Sequence, residues 1–307
     1  MNQHCNYILQ DFPIRKSRKQ KKAFRKHISQ IIQEEGYTVT EQKGGLSRSV
    51  NLIAGDVSRA KIIFTAHYDT CAALPLPNFI APRNFFVFII YQLILSVIIL
   101  LLPFLAALAV YNWIDPKFAT ETFTITSIFA LLYMIYGKAN KSNVNDNTSG
   151  VITLLNAMLA LPKEYRENVA FVFFDNEEAG LLGSSIFAAK YKKELKDTTI
   201  VNFDCVSDGN NILFFLSKKF KKDDTLMQAL KNNTADDEIN TKICSSSWSI
   251  YPSDQINFKK SCAVAAFHKS KLIGYWLGRI HTRRDNVLEE RNIEFLSDLI
   301  IALSKIV

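Results

Sequence analysis

Two kinds of apolar run organise this chain. Lys61-Ile62-Ile63-Phe64-Thr65-Ala66, Val169-Ala170-Phe171-Val172-Phe173-Phe174 and Thr199-Ile200-Val201-Asn202-Phe203 are short, β-branched or aromatic, and free of Gly and Pro. Such runs predict buried strands. Ala263–Phe267 reads as a further strand. Ala179–Ser185, Val151–Leu161 and Asn292–Val307 predict a helix start, a helix and an amphipathic closing helix. The second kind is longer. Phe85–Tyr111 carries no charge, and at 1.5 Å per residue it can cross a hydrocarbon core of about 30 Å with tilt. Pro103 lies inside it, a kink that membrane helices tolerate. A turn-like segment, Asn112–Lys117 with Trp113, leads to a weaker apolar span, Phe118–Tyr136, with Glu121 near its start. The pattern predicts a transmembrane helical hairpin, residues 79–136, inserted into one α/β domain formed by residues 1–78 and 137–307. A lid or dimer face outside the lipid is the alternative for the same two helices.

The strand ends carry the chemistry. The second strand runs into Asp175-Asn176-Glu177-Glu178. Adjacent carboxylates in a cleft repel unless a cation or a shared proton offsets them. An isolated Glu-Glu pair reads as solvated loop acids, but here the pattern recurs. The first strand ends in His67-Tyr68-Asp69 and the third in Asp204. Asp146 precedes the Val151–Leu161 helix, and His281-Thr282 follows a Gly-containing stretch near the C-terminus. In open α/β sheets, ligands bind outside the strands' carboxyl ends. His4, His27 and His268 fit no such position. His27 lies in a very basic helix and reads as a surface residue, and His268 as structural or surface.

These residues, in this order, resemble the M28 family of zinc aminopeptidases. That family carries His-x-Asp, Asn-Asp-x-x-Ser-Gly, Glu-Glu before Gly-Leu-x-Gly-Ser, Asn-x-Asp and a late His-Thr. The counterparts here are His67/Asp69, Asp146, Glu177/Glu178, Asp204 and His281, and Ser253-Asp254 with Phe258 matches a further segment. The resemblance covers roughly 5–78 and 138–307. It implies a central mixed β-sheet flanked by helices and two Zn2+ per chain. Asp146 would bridge them, His67 and Asp204 completing one site and Glu178 and His281 the other. Such pairs polarise a carbonyl and activate a water together, and imidazole with carboxylate suits zinc. The resemblance makes Glu177 the general base and lets Asp69 accept the other ring N–H of His67. The implied substrate is a peptide with a free N-terminus. Three departures stand out. Cys205-Val206-Ser207 replaces the usual apolar residue and Gly, Arg283-Arg284 replaces the usual Pro, and the chain between His67 and Asp146 is far longer than the family pattern. Two alternatives remain: a glutaminyl-cyclase-like enzyme, which would use a single zinc and against which the His67 and Asp204 pair argues, and a non-enzymatic membrane scaffold, which would have lost ligands.

Charge adds a location. Arg83, Lys138 and Lys141 at the hairpin's returning ends, against Lys117 at its tip, favour a domain on the cytosolic side of a two-span membrane protein. No signal-peptide core precedes the insertion. Arg15–Lys26 holds eight basic residues in twelve, and the net charge is +8. That run reads either as a solvated helix face or as a contact for anionic lipid. No binding motif points to nucleic acid. The 307 residues suit one large domain plus the hairpin. Five cysteines give no disulfide framework. Cys71 and Cys205, close to ligand positions, read as small buried hydrophobes or redox-sensitive thiols.

Overall fold

A computed structural model describes residues 3–74, 76–234 and 239–307. Among the described residues there are nine strands: β1 (Val39–Gly44), β2 (Ser49–Ala54), β3 (Ile62–His67), β4 (Val169–Phe174), β5 (Thr199–Phe203), β6 (Asn211–Leu216), β7 (Asn240–Ser245), β8 (Ser261–Ser270) and β9 (Gly274–Trp276). They form one mixed sheet in the order β1-β2-β4-β3-β5-β8-β6-β7, with β9 paired to the end of β8. The helices are α1 (Gln3–Asp11), α2 (Arg18–Glu34), α3 (Phe85–Trp113), α4 (Ala119–Tyr136), α5 (Gly150–Ala160), α6 (Leu182–Lys190), α7 (Asp224–Asn232) and α8 (Glu290–Ser304).

The apolar runs become strands because both sheet faces are covered. Side chains alternate between faces with a period of two. Ile62, Phe64, Val169, Phe171, Phe173, Val201 and Phe203 pack with α2, α5 and α8. Ile63, Ala170, Val172, Phe174 and Ile200 pack with Phe187 of α6 and with Phe258. The block β4-β3-β5-β8 is parallel throughout, so β3, β4 and β5 end on the same edge. The register aligns His67 with Phe174, one residue before Asp175. Gly150 shows how tightly α5 meets this edge: a Cβ there would sit 2.4 Å from the Phe203 carbonyl oxygen.

Helices α3 and α4 pack on each other. Both are long and apolar enough to cross a membrane. Of α3 only Pro103 is buried, and of α4 nothing; Leu93, Val97, Leu102, Ile125 and Phe129 are exposed. At their root, Ala73 N–H donates to the Lys138 carbonyl (2.8 Å) and Asn140 N–H to that of Cys71 (3.2 Å). On the other side of the root, Leu74 N–H donates to the His281 carbonyl (2.9 Å), and Ile80 and Leu277 exchange two backbone bonds of 2.9 Å. Phe79 stacks on Trp276 of β9 and meets Tyr91 of α3 at a tilt.

The basic run at the start of α2 is not uniformly solvated. Arg15, Lys21 and Arg25 are buried. The Lys21 ammonium donates to Asp175 and Asn176, both at 2.6 Å. Arg25 bridges Glu41 (2.9 Å) and the Tyr68 hydroxyl (2.8 Å). Arg15 binds the Tyr68 carbonyl and the Thr148 hydroxyl. His27 is half-buried, its ring 4.6 Å from that of Tyr7 and 5.2 Å from that of Phe12. His268 is structural as expected, its Nε2 lying 2.8 Å from Asp208 Oδ1.

Candidate metal centre

The structure brings all seven sequence-selected residues together. His67 closes β3, Glu177 and Glu178 sit in the turn after β4, and Asp204 follows β5. Asp146 lies in the loop entering α5, and His281 follows β9 with a left-handed backbone, φ 63°. Asp146 faces both imidazoles. Its Oδ1 is 3.2 Å from His67 Nε2, and its Oδ2 is 3.1 Å from His281 Nε2. Asp204 Oδ1 is 3.5 Å from His67 Nε2, and Glu178 Oε2 is 3.3 Å from His281 Nε2. Glu177 Oε2 stands further off, 4.0 Å from His67 Nε2.

These spacings fit metal ligation. Ligand atoms around a tetrahedral zinc lie about 3.3–3.6 Å apart, given bonds of about 2.0–2.2 Å. His67 is fully buried, and its Nε2 has no hydrogen-bond partner; neither has Glu178 Oε1. Such orphans are costly unless something pairs with them. Electrostatics agrees. Burial, opposed by His67 and reinforced by Glu178, holds the Glu177 carboxyl well above its ordinary range. Burial and Asp146 do the same for Glu178. Burial alone would lower the His67 pKa, but the carboxylates around it, Glu177 first, raise it well above its usual value. The cluster holds more negative charge than two imidazoles offset, which a divalent cation corrects.

Asp69 faces the His67 ring and also holds the turn of the two glutamates. The His67 Nδ1 faces the Asp69 backbone carbonyl at 3.2 Å, while the carboxylate is 3.6 Å away. That carboxylate also accepts the backbone N–H of Glu177 (3.0 Å) and of Glu178 (3.3 Å). It therefore fixes the turn that presents both glutamates. Asp175 accepts the Val50 N–H at 2.9 Å and pairs with Lys21, so it anchors the same turn from behind.

Most of the supporting residues escape the sequence reading. Asp285 is buried and accepts the backbone N–H of Asn145 (2.8 Å) and of Asp146 (3.1 Å). Burial and Asp146 push its carboxyl up to about 8. Asn147 ties Asp146 to the β5 end, donating to the Phe203 carbonyl (2.9 Å) and accepting from Cys205 N–H (3.3 Å). Tyr251 donates to the Asp204 carbonyl at 2.9 Å. Asp254 is fully buried, and burial raises its carboxyl to about 7. Of these, only Asp254 carries a sequence signal, the Ser253-Asp254 segment of the family resemblance. Cys71 and Cys205 are buried and in no disulfide; their thiols donate to Asn143 (3.4 Å) and Asp204 (3.2 Å).

A mixed sheet gathering two histidines and four carboxylates at one edge defines a zinc-peptidase-like α/β fold. The chain belongs to peptidase family M28, whose model matches residues 134–302. No curated protein matches the sequence. Solved structures share the fold. The LapA aminopeptidase of Legionella pneumophila aligns with TM-score 0.58 and 12% identity over 99% of this chain and 70% of that one. The Porphyromonas gingivalis glutaminyl cyclase gives 0.59 and 13% over 98% and 96%. A leucine aminopeptidase precursor from Bacteroides thetaiotaomicron gives 0.55 and 14% over 97% and 94%. At such identities the likeness is one of fold, and it spans both activities.

Proposed function

We propose that this chain is a zinc-dependent aminopeptidase with a dinuclear centre, held at a membrane by residues 79–136, with residues 1–78 and 137–307 as its catalytic domain. The observation that carries the reading is Asp146, whose two oxygens each face a different histidine at 3.1–3.2 Å. One zinc would rest on His67, Asp146 and Asp204, the other on Asp146, Glu178 and His281. Two bound zincs would supply Lewis-acid polarisation of the scissile carbonyl and a lowered water pKa. Glu177, set back from the ligand atoms, takes the proton of the attacking water and passes it to the leaving amine. The Asp69 carboxylate positions Glu177 through its backbone. The substrate is a peptide with a free N-terminus.

The exposed apolar faces of α3 and α4 support membrane insertion, because a soluble monomer does not tolerate that much contiguous apolar surface. Arg83, Lys138 and Lys141 at the root favour the cytosolic side.

Cyclisation of N-terminal glutamine is the second reading, favoured by the fold shared with glutaminyl cyclases. Zinc counting and substrate assays separate the two. The expected outcome is two zincs per chain at saturation, with release of nitroaniline from aminoacyl-nitroanilides. One zinc per chain, with turnover of glutaminyl substrates alone, transfers the assignment to the cyclase.

A further inference from the structure

Two cavities meet at Glu178. One, about 260 Å³, has an apolar wall of Ile80, Leu181, Tyr251, Pro252 and Ile280 beside the acids of the metal cluster. The other, about 380 Å³, is lined by Lys16, Gln20, Thr70, Ala139 and Ala179. It continues into a third of about 520 Å³, with which it shares Lys16, Lys21, Tyr136, Asn176 and Ala179. The third cavity adds Arg18, Lys22 and Arg48.

Away from Glu178 the charge of this groove is mainly positive. Its acids other than the candidate metal ligands are Asp69, whose carboxylate accepts the backbone N–H groups of Glu177 and Glu178 at 3.0 and 3.3 Å, and Asp175, which pairs with Lys21 at 2.6 Å. Arg25 is spent on Glu41. Arg18, Lys22 and Arg48 are exposed and form no ion pair among the described residues. Lys16 is half-buried, with its ammonium on the Ile135 carbonyl. A cleft lined by one sign of charge concentrates ligands of the other.

We infer that this groove receives the residues downstream of the scissile bond and selects acidic side chains there, while the apolar cavity takes the N-terminal side chain. The inference rests on the aminopeptidase reading. Continuity through Lys16 and Ala179 to Glu178 favours a substrate path over a lipid contact, because a headgroup site has no need to open onto the metal ligands. The favoured substrate is a peptide with an apolar first residue and Asp or Glu a few positions on.

The test uses the full-length, zinc-loaded protein in zwitterionic detergent. The kcat/KM values are compared for Leu-Ala-Asp-Asp-Ala amide, Leu-Ala-Ala-Ala-Ala amide and Leu-Ala-Lys-Lys-Ala amide, beside leucyl nitroanilide. The acidic peptide is expected to exceed the basic one about tenfold at low salt, the gap closing near about 0.5 M salt. Arg18→Glu with Lys22→Glu should reverse that order yet leave leucyl nitroanilide turnover unchanged, since that substrate has no downstream residues. Equal values for the three peptides, with nitroanilide turnover intact, overturn the inference and leave the aminopeptidase reading standing. No turnover of nitroanilide or peptides overturns both. Charge reversal that releases the protein's affinity for phosphatidylglycerol vesicles without changing the peptide order assigns the groove to lipid and overturns the inference.

Discussion

On the proposed reading Glu177 and Glu178 are neighbours with separate tasks, and the way their turn is held bears on that division. Both backbone N–H groups donate to the one Asp69 carboxylate. The side chains then diverge, Glu178 to 3.3 Å from His281 and Glu177 to 4.0 Å from His67. The proposed reading makes the nearer group a ligand and the farther one the base. Glu177→Gln keeps the shape and removes the proton acceptor, so it should retain its zinc and its thermal midpoint while kcat falls about 10²-fold or more. Glu178→Ala should lose activity together with zinc. Elemental analysis beside steady-state rates distinguishes them, and near-normal turnover of Glu177→Gln would remove Glu177 from the chemistry. His281, Asn176 and Cys205 adopt left-handed backbone conformations at the same edge. Such conformations gather where function over-determines the backbone.

The elements divide by how local their signal is. The three strand runs, the two long apolar helices and the motif at each strand end are legible in the sequence, because each is written in consecutive residues. The start of α2 is not. Its eight basic residues look alike on paper, yet Lys21 is buried against Asp175, which is 154 positions away. No local pattern encodes that pairing, nor Asp285 reaching back to the Asp146 backbone. Helix α2 is therefore riveted to the β4 turn by charge as well as by Phe24, Ile28, Ile31 and Ile32. Breaking a buried pair from one side leaves an uncompensated charge, costing about 3–5 kcal/mol. Lys21→Met should lose stability on that scale in denaturant unfolding, and Lys21→Met with Asp175→Asn should recover most of it. If the double variant is as unstable as the single one, packing rather than the pair holds α2 in place.

At the scale of the whole molecule, the hairpin and the candidate metal centre share a support. The segment leaving His67 pairs with the one returning toward Asp146, through Ala73 and Lys138. It also pairs with the stretch that carries His281, through Leu74 and Ile80. The root of α3 and α4 is thus part of the cleft wall, whereas the helices beyond it touch little of the domain and expose their apolar faces. The two parts should separate cleanly. Replacing Phe85–Tyr136 by a short Gly/Ser loop keeps the backbone pairing at the root and removes the apolar surface. On the proposed reading, carbonate-washed membranes retain the native chain, and the loop variant becomes soluble while still binding zinc, because no sequence-selected ligand lies in the deleted segment. Protease treatment of sealed vesicles then gives the side, a protected domain in right-side-out vesicles meaning the cytosolic face. A native chain that stays soluble without detergent would make α3 and α4 a lid or a dimer face. Their apolar surface would then have to be covered by protein, which sedimentation of the native chain against the loop variant would reveal as a change in oligomeric state.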